Sequence, residues 1–301
     1  MQALILAGGG GHRMSGITAH LPKPLLYLPG GTLLEHQLAL LARLAVSHTF
    51  VVIHHRAQQM KQALQGHETV TALQQSPPFT LLGALASADG YLTESFIVLH
   101  ADNYLSQGLD YLLQEAQTAK SEFRPDGVFL VDPQVDQPER ARRLASTGCY
   151  VLSPGVFPII RRFRDGDELS CLTGALLEYG AIVKEVPLRG WRENINHSQD
   201  LLRVSGHILE DWWGSFHPLG AEEGYDRVEG CLKAERPLWI SRESEVVDAH
   251  LGPYVVVGPH ARVRNCALRE VTVFPGAEIT GQRLERGVVL PGGTGFVPLT
   301  P

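Results

Sequence analysis

The sequence predicts an α/β domain built on a mostly parallel sheet with helices on both faces, followed by a short β-helix. Short apolar runs alternate with helical patterns through the first two-thirds of the chain, which is typical of βαβ units. From about residue 230 the helical periodicity stops, and apolar residues recur every six positions instead. We therefore expect a first domain over residues 1–230 and a repeat domain over residues 231–301.

The strands of the first domain are predicted from six short apolar runs. These runs cover residues 3–6, 50–53, 96–99, 127–131, 149–152 and 182–186. Helices are expected over 109–119, 174–179 and 199–212. Thr32 and Glu35 form a capping-box pattern, which predicts the start of a further helix after Thr32. Ligands of such sheets bind beyond the carboxyl ends of the strands. The glycine run after the first strand and Asp102 after a central strand are therefore expected to converge.

The repeat domain is predicted from hexads. Leu251, Val257 and Val263 lie six residues apart, and a second, imperfect run continues through Val273, Ile279 and Val288. A six-residue period with small residues at the turns indicates a β-helix, in which each coil buries its apolar residues against its neighbours. The alternative is an irregular β-rich tail.

Composition excludes several classes of protein. A formal net charge of -6 over 301 residues argues against a nucleic-acid partner, because such proteins usually carry a basic face. No run of apolar residues is long enough to cross a membrane, and the first residues lack the pattern of a signal peptide. The four cysteines are widely spaced, without a CxxC pair, which favours a reducing cytoplasm.

The glycine run is the first candidate for a binding site. Gly8, Gly9, Gly10 and Gly11 allow close approach of a ligand and can turn their N–H groups toward anionic oxygens. Arg13 follows the run, and a guanidinium pairs with phosphate in two-point geometry. A simple tight turn is the alternative interpretation. No Gly-Lys-Ser/Thr follows, so the run is not a P-loop.

Lys23 is the second candidate, because Pro22 and Pro24 stiffen the backbone around it. A lysine on a rigid segment near a phosphate loop stabilises negative charge. The alternative is an ordinary solvated lysine.

These motifs together resemble the sugar-1-phosphate nucleotidyltransferases. The segments LAGGGGHRM and LPKPLL resemble the glycine-rich loop and P-K-P of that family, and HADN resembles its G-D-N. TGCYVLSP is similar to its sugar-site strand, WRENINHSQDLL to its W-x-D-I-G-T-P-E-D-L, and the tail to the left-handed β-helix that many members carry. The resemblance covers nearly the whole chain and implies a Rossmann-like fold.

The resemblance also implies the reaction and the residues that serve it. A sugar 1-phosphate attacks the α-phosphorus of a nucleoside triphosphate, and pyrophosphate leaves. The implied catalytic residues are Arg13, Lys23 and Asp102, with Mg²⁺ held by Asp102 and Asn194. The implied sugar-binding residues are Gly148 and Asn194. The nucleotide-binding residues implied in the same way are Leu6, Ala7, Gly8, Gly9, Gly10, Gly11, His12, Gln75 and Asn103.

Several positions depart from the family pattern. His12 replaces the loop threonine, Thr80-Leu81 stands where the family has Gly-Thr, and Asn194 replaces a metal-binding aspartate. The E-K-P motif is missing, and Arg140, Arg142 and Arg143 are the candidates for replacing its lysine. These departures leave a second hypothesis open, a catalytically impaired relative that binds nucleotide or sugar nucleotide as a regulatory or assembly subunit.

The short tail predicts assembly. The hexads form too few coils for a solenoid that is stable alone, since about three repeats are the minimum. We therefore expect the tail to pack on the first domain or on a neighbouring subunit, and the chain to form a homo-oligomer.

Overall fold

The computed structural model describes residues 1–117, 125–135, 137–214, 231–292 and 295–299. The chain divides into two compact units. The first contains Met1–Gly10, Pro22–Pro24 and Gln37–Arg192; the second contains Gly11–Leu21, Leu25–His36 and Glu193–Pro301. Residue 230 lies outside the described ranges, so the domain boundary expected there stays a prediction.

The regular elements are numbered in chain order. The strands are β1 Gln2–Ala7, β2 Tyr27–Leu28, β3 Gly31–Thr32, β4 His48–Ile53, β5 Val70–Gln74, β6 Phe96–His100, β7 Asn103–Leu105, β8 Gly127–Val131, β9 Cys149–Leu152, β10 Val183–Pro187, β11 Arg192–Asn194, β12 Cys231–Ala234, β13 Leu238–Ile240, β14 Glu245–Val247, β15 Ala249–Leu251, β16 Val255–Val257, β17 Arg262–Arg264, β18 Ala267–Val273, β19 Glu278–Thr280, β20 Arg283–Leu290 and β21 Gly295–Pro298. The helices are α1 Ser15–Thr18, α2 Leu33–Arg43, α3 Ala57–Ala63, α4 Leu81–Ala86, α5 Asp110–Gln117, α6 Arg140–Leu144, α7 Phe157–Arg162, α8 Leu169–Glu178 and α9 Ser198–Gly214, with short 3-10 turns at His12–Met14, Lys23–Leu25 and Pro154–Val156.

The first unit is built on one seven-stranded sheet. Its strand order is β10-β8-β9-β6-β1-β4-β5, and every neighbouring pair is parallel except those that involve β9. The predicted mostly parallel sheet is confirmed. All six predicted runs are strands, whereas β5 at the sheet edge was not predicted.

Both faces of this sheet are covered. Leu4 of β1 belongs to a buried cluster that includes Leu82 of α4 and Leu172 of α8, whereas its neighbours Ala3 and Ile5 are buried on the opposite face. On β8, where α5 contacts the strand, Leu130 is likewise buried outside that cluster. Residues between Met1 and Arg192 thus build a core of their own.

The capping box predicted at Thr32 is present in the second unit. The Thr32 N–H donates to Glu35 Oε2 at 2.6 Å, and the Glu35 N–H donates to Thr32 Oγ1 at 3.2 Å. Each residue satisfies a backbone donor that the first turn of α2 leaves unpaired. This pairing explains why α2 begins at Leu33.

The rest of the second unit contains three parallel ladders, which are the three faces of a β-helix. The ladders are β12–β15–β18–β20, β13–β16–β18–β20 and β14–β17–β19, because the long strands β18 and β20 each take part in two faces. Leu251, Val257 and Val263 lie on three successive strands, β15, β16 and β17, so one hexad corresponds to one face. The predicted β-helix is confirmed, whereas its left hand stays a prediction. In the second run, Val273 aligns with Val289 in the ladder, and Val288 aligns with Thr272.

The corners of the β-helix use left-handed backbone at equivalent positions. At one corner Asp248, Asn265 and Gly281 have φ values of 50°, 52° and 68°. The coils are joined there by backbone hydrogen bonds, from Asn265 N–H to Val247 O at 3.0 Å and from Gly281 N–H to Arg264 O at 2.9 Å. Asn and Asp tolerate this conformation better than other residues with a side chain.

The β-helix packs on other parts of its own unit. The ring of Tyr27 in β2 contacts Trp239 and Phe274, with ring centroids 5.9 and 6.4 Å apart. The Tyr254 hydroxyl donates to Glu210 Oε1 of α9 at 2.7 Å. These contacts cover an apolar edge that so short a solenoid would otherwise expose.

Among the described residues, no helix has both the length and the hydropathy that are needed to span a membrane.

Gly252 gives a test of the β-helix packing. A Cβ there would lie 1.8 Å from the Glu235 carbonyl oxygen, and φ is +111°. We expect Gly252→Ala to lower the free energy of unfolding by about 3 kcal/mol or more, because backbone atoms must move. Gly276→Ala is the control: φ is +69° with open space around it, so we expect a cost of about 1–2 kcal/mol. Urea denaturation measures both losses of unfolding free energy. Equal losses in the two variants would contradict the close approach of Gly252 to the Glu235 carbonyl oxygen.

Candidate functional site

The candidate site lies at the carboxyl edge of the seven-stranded sheet. β1 and β6 are parallel neighbours, with Leu6 opposite His100, and the Ala101 N–H donates to Leu6 O at 3.1 Å. The glycine loop leaves the end of β1, and Asp102 follows the end of β6. The two motifs therefore emerge side by side, as the sequence predicted.

The glycine loop has one crowded and one open position. A Cβ on Gly8 would lie 2.7 Å from Gln75 Oε1 and 3.4 Å from the His54 Cβ, so a side chain does not fit there without displacing Gln75. Gly9 is exposed, and a Cβ on it would meet no atom within 4 Å. This open space beside backbone N–H groups is what an anionic ligand requires.

The last part of the loop belongs to the second unit. Gly11 has φ +63°, and a Cβ there would lie 2.8 Å from the Thr18 side chain, so glycine is required. His12 and Arg13 are exposed on the 3-10 turn that follows. Within the described ranges the Arg13 guanidinium has no ion-pair partner.

Lys23 and Asp102 form an ion pair in the first unit. Lys23 Nζ lies 3.1 Å from Asp102 Oδ2, and the exposed fractions of the two side chains are 12% and 32%. The sequence singled out each residue but not their contact. The pair places a cation and a carboxylate next to the glycine loop, which is a suitable arrangement for binding phosphate and a divalent cation.

Asn103 and Gly148 lie on the other side of Asp102. Asn103 Nδ2 donates to Asp102 Oδ1 at 3.0 Å, and a Cβ on Gly148 would come within 3.0 Å of the same nitrogen. Gly148 has φ +66°, and that Cβ would also lie 2.9 Å from the ring of His100. Only glycine leaves this space open. The Asn103 carbonyl accepts from Gln37 Nε2 at 2.9 Å, which holds the loop in place.

His100 is a partly buried residue of the same corner. Burial lowers the pKa of its imidazole, while the negative charge of Asp102 acts in the opposite direction. The Tyr150 hydroxyl lies 3.4 Å from His100 Nε2, and burial raises the pKa of that hydroxyl. Both groups are therefore neutral at physiological pH, and His100 is part of the floor of the site.

Gln75 has a fixed orientation beside Gly8. Its Nε2 donates to the carbonyl oxygens of Pro78 at 3.2 Å and Thr80 at 2.9 Å, which use both amide hydrogens. Carbonyl oxygens only accept, so the amide cannot turn over. Gln75 therefore presents only its Oε1 to the loop. Thr80 caps α4, since its Oγ1 accepts from the Gly83 N–H at 3.0 Å.

Phe79 is exposed next to this position. Its side chain is 54% exposed, and its ring stacks on His54 with centroids 3.8 Å apart. This pair could not be predicted from a local pattern, because the two residues are 25 positions apart.

The three arginines proposed to replace the missing lysine are engaged elsewhere. Arg143 makes a two-point contact with Glu185 at 2.8 and 3.0 Å, and Arg140 also contacts Glu185, at 3.3 Å. Arg142 pairs with Glu139. The hydrogen bonds between Arg143 and Glu185, together with their opposite charges, raise the pKa of Arg143 and lower the pKa of Glu185.

Arg192, which sequence reasoning missed, lies at the site instead. Its Nη1 donates to Asn103 Oδ1 at 3.4 Å, and its Nε donates to Asp132 Oδ2 at 3.2 Å. Its place after Trp191 in the WRENIN motif was the available signal.

Asn194 belongs to the second unit, at the end of β11. Its Oδ1 is buried and has no hydrogen-bond partner among the described residues. An unpaired buried carbonyl oxygen is costly and is able to coordinate a cation.

The residues fit a Mg²⁺ ion that is held mainly by substrate. Within the described ranges, no group of three or more His, Cys, Asp or Glu side chains is arranged to hold a metal ion. Mg²⁺ is commonly bound by one or two protein carboxylates plus the phosphates of a nucleotide and water. The partly exposed carboxylate of Asp102 meets that requirement.

Comparison with known protein families shows the family of this chain. The family model described as nucleotidyl transferase matches residues 2–193. The chain belongs to this family. The nucleotidyl transferase match contains the glycine loop, Lys23, Gln75, Asp102, Gly148 and Arg192.

Two curated relatives are similar over nearly their whole length. A glucose-1-phosphate thymidylyltransferase of Streptomyces antibioticus is 24% identical, with 96% of this chain and 92% of the relative covered. The low-salt glycan biosynthesis nucleotidyltransferase Agl11 of Haloferax volcanii is 23% identical, with 99% and 96% covered. The resemblance to sugar-1-phosphate nucleotidyltransferases is thus confirmed.

A solved structure shares the fold. A crystal structure from Bacillus anthracis, described as a glucose-1-phosphate thymidylyltransferase with bound sucrose, has a TM-score of 0.60 at 18% identity. It covers 69% of this chain and 95% of its own. At this identity the likeness supports the fold alone.

Gly9 tests whether the open loop position receives the nucleotide. We expect Gly9→Ala to fold as the wild type does but to lose about tenfold or more in affinity for nucleoside triphosphate, because a methyl group occupies the approach to charge-assisted hydrogen bonds. Calorimetry measures the affinity and urea denaturation the stability. Gly174→Ala in α8 also meets open space and is the matched control, with unchanged affinity expected. Unchanged affinity in Gly9→Ala would contradict the assignment.

Proposed function

We propose that this chain transfers a nucleotidyl group from a nucleoside triphosphate to a sugar 1-phosphate. The products are a nucleoside diphosphate sugar and pyrophosphate. The observation that carries the proposal is the Lys23–Asp102 ion pair beside the glycine loop, with the space at Gly148 on its far side. The names of the relatives, a glucose-1-phosphate thymidylyltransferase and a glycan-biosynthesis nucleotidyltransferase, support it.

The reaction requires charge neutralisation and alignment more than covalent help. An oxygen of the sugar phosphate attacks the α-phosphorus, and the bond to pyrophosphate breaks in line. Gly8, Gly9 and Gly10 offer backbone N–H groups to the triphosphate, and Lys23 stabilises the charge that develops at the α-phosphate. Arg13, Gly11 and His12 stay predicted triphosphate ligands. Leu6 and Ala7 end β1 and support the loop.

Mg²⁺ is part of the proposal. Asp102 would hold it, and Asn194 stays a predicted second ligand. When bound, the ion neutralises phosphate charge and polarises the α-phosphate. Asn103 orients the Asp102 carboxylate through its hydrogen bond to Oδ1. With Asp102 engaged in this way, Lys23 would be available to a phosphate oxygen of the triphosphate.

The nucleobase is proposed to bind at Gln75. Because both hydrogens of its amide are used, Gln75 accepts an N–H of the base through Oε1. A base edge with a donor at that point is therefore required. The sugar is proposed to lie over Gly148, where the missing side chain leaves room above His100 and Asn103.

Two further proposals concern the cellular context. Cys149, Cys171 and Cys266 form no disulfide among the described residues, which supports a reducing, cytoplasmic compartment. The shortness of the β-helix supports assembly as a homo-oligomer, since a solenoid with few coils gains stability from packing against a partner.

A second candidate function is favoured by Asn194. A family site with an amide in place of one carboxylate has less negative charge for Mg²⁺, which fits an impaired relative that binds substrates without turnover. The discriminating experiment measures pyrophosphate release with Mg²⁺ from a panel of triphosphates and hexose 1-phosphates. Release with at least one pair supports the enzyme. Nucleotide binding in calorimetry without release from any pair would support the impaired relative.

Asp102 is expected to be essential for turnover. We predict that Asp102→Asn lowers kcat by about 100-fold or more, because the metal loses the carboxylate that holds it. Asp89→Asn is the matched control: Asp89 pairs with exposed Arg161, and its loss should leave kcat within twofold of wild type, about 0.4 kcal/mol. Full activity of Asp102→Asn would remove this residue from the mechanism.

Asn194 is expected to limit affinity for the metal. A carboxylate adds negative charge where the amide oxygen has no partner, so Asn194→Asp should lower the Mg²⁺ concentration for half-maximal activity several-fold. A titration of pyrophosphate release with Mg²⁺ measures the shift. An unchanged or higher requirement would show that Asn194 does not bind the ion.

A further inference from the structure

Arg192 is a poorly exposed cation of the first unit whose hydrogen-bonding capacity is only partly used. Its side chain is 15% exposed, and its ion-pair partner Asp132 is 14% exposed. A guanidinium has five N–H donors. The contacts with Asp132 and Asn103 use one at Nε and one at Nη1, so three donors have no partner among the described residues.

The position of the guanidinium is fixed from behind. Asp132 Oδ1 accepts from the Gln134 N–H at 3.0 Å, and the Asp132 N–H donates to Ser146 Oγ at 3.0 Å. A carboxylate held in this way orients the arginine that it binds. A preorganised planar donor group is well suited to two-point recognition of phosphate.

Arg192 lies on the Gly148 side of Asp102, away from Lys23. Lys23 contacts Asp102 Oδ2, whereas Arg192 reaches Oδ1 through the Asn103 side chain. The amide of Asn103 thus accepts from Arg192 and donates to Asp102. The two cations flank the carboxylate, and the space that Gly148 leaves open borders the same Asn103 amide.

We propose that Arg192 binds the phosphate of the sugar 1-phosphate, an inference that rests on the proposed function. Two anionic substrates must meet at this site, and Lys23 lies beside the loop that takes the triphosphate. The acceptor phosphate needs a second cation on the Gly148 side. Arg140, Arg142 and Arg143 are committed to carboxylates elsewhere, whereas Arg192 has unused donors at the right corner.

The test compares Arg192→Gln and Arg192→Lys with the wild type. In Arg192→Gln we expect the KM for the hexose 1-phosphate to rise about 10- to 100-fold, because a charged hydrogen-bonded contact is lost. The KM for the triphosphate should change less than threefold. Arg192→Lys keeps the charge but not the fork, so an intermediate rise is expected. Arg143→Gln removes a more exposed ion pair, with Glu185, and should leave both KM values unchanged.

Direct binding separates this inference from the proposed function. Glucose 1-phosphate, N-acetylglucosamine 1-phosphate and mannose 1-phosphate are titrated by calorimetry into wild type and both variants, with thermal unfolding to confirm that they fold. Arg192-dependent binding without pyrophosphate release would support the inference and overturn the proposed reaction. Turnover with equal KM values in wild type and Arg192→Gln would overturn the inference alone. A kcat loss with a changed Mg²⁺ requirement and unchanged KM would assign Arg192 to positioning Asp102, which also overturns it. If wild type neither binds nor turns over any of the three, both fail.

Discussion

The ion pair between Lys23 and Asp102 joins a proline-stiffened segment to the end of a central strand, 79 residues further along the chain. Both side chains are partly buried, so removing either one deprives the other of this ion pair at 3.1 Å. In the proposed reaction, Lys23 would pair with a phosphate oxygen of the triphosphate, and Asp102 would hold the divalent cation. The ion pair keeps both side chains in position for these roles.

The same constraint extends through Asn103 to Arg192 and Asp132, so that cation, anion, amide, cation and anion alternate along one polar network. Neighbouring opposite charges orient one another, and the network as a whole has almost no net charge. Two departures from the family pattern change the charges of the sequence. An amide at position 194 removes one negative charge, and the missing E-K-P lysine removes one positive charge. Arg192 supplies a cation that reaches the Asn103 amide, which the space at Gly148 borders.

Most strands of the sheet and the coils of the β-helix could be predicted from the sequence, because buried strands and hexads depend on local apolar patterns. β5 escaped prediction since only Leu73 of its five residues is buried, which leaves an edge strand without an apolar run. Lys23 and Asp102 were recognised by motif, but their contact depends on tertiary structure. Arg192 was missed because its role requires Asp132, 60 residues away. The orientation of Gln75 likewise depends on the carbonyl oxygens that the turn before α4 brings to it.

The central claim is that an oxygen of the sugar phosphate attacks the nucleotide at this site. The most direct measurement follows ¹⁸O from a hexose 1-phosphate labelled in its phosphate oxygens, with products analysed by mass spectrometry. The account predicts that all of the label appears in the nucleoside diphosphate sugar and none in pyrophosphate, because the α-phosphorus is the atom attacked. Label in pyrophosphate, or no nucleotide sugar from any pair of substrates, would contradict it.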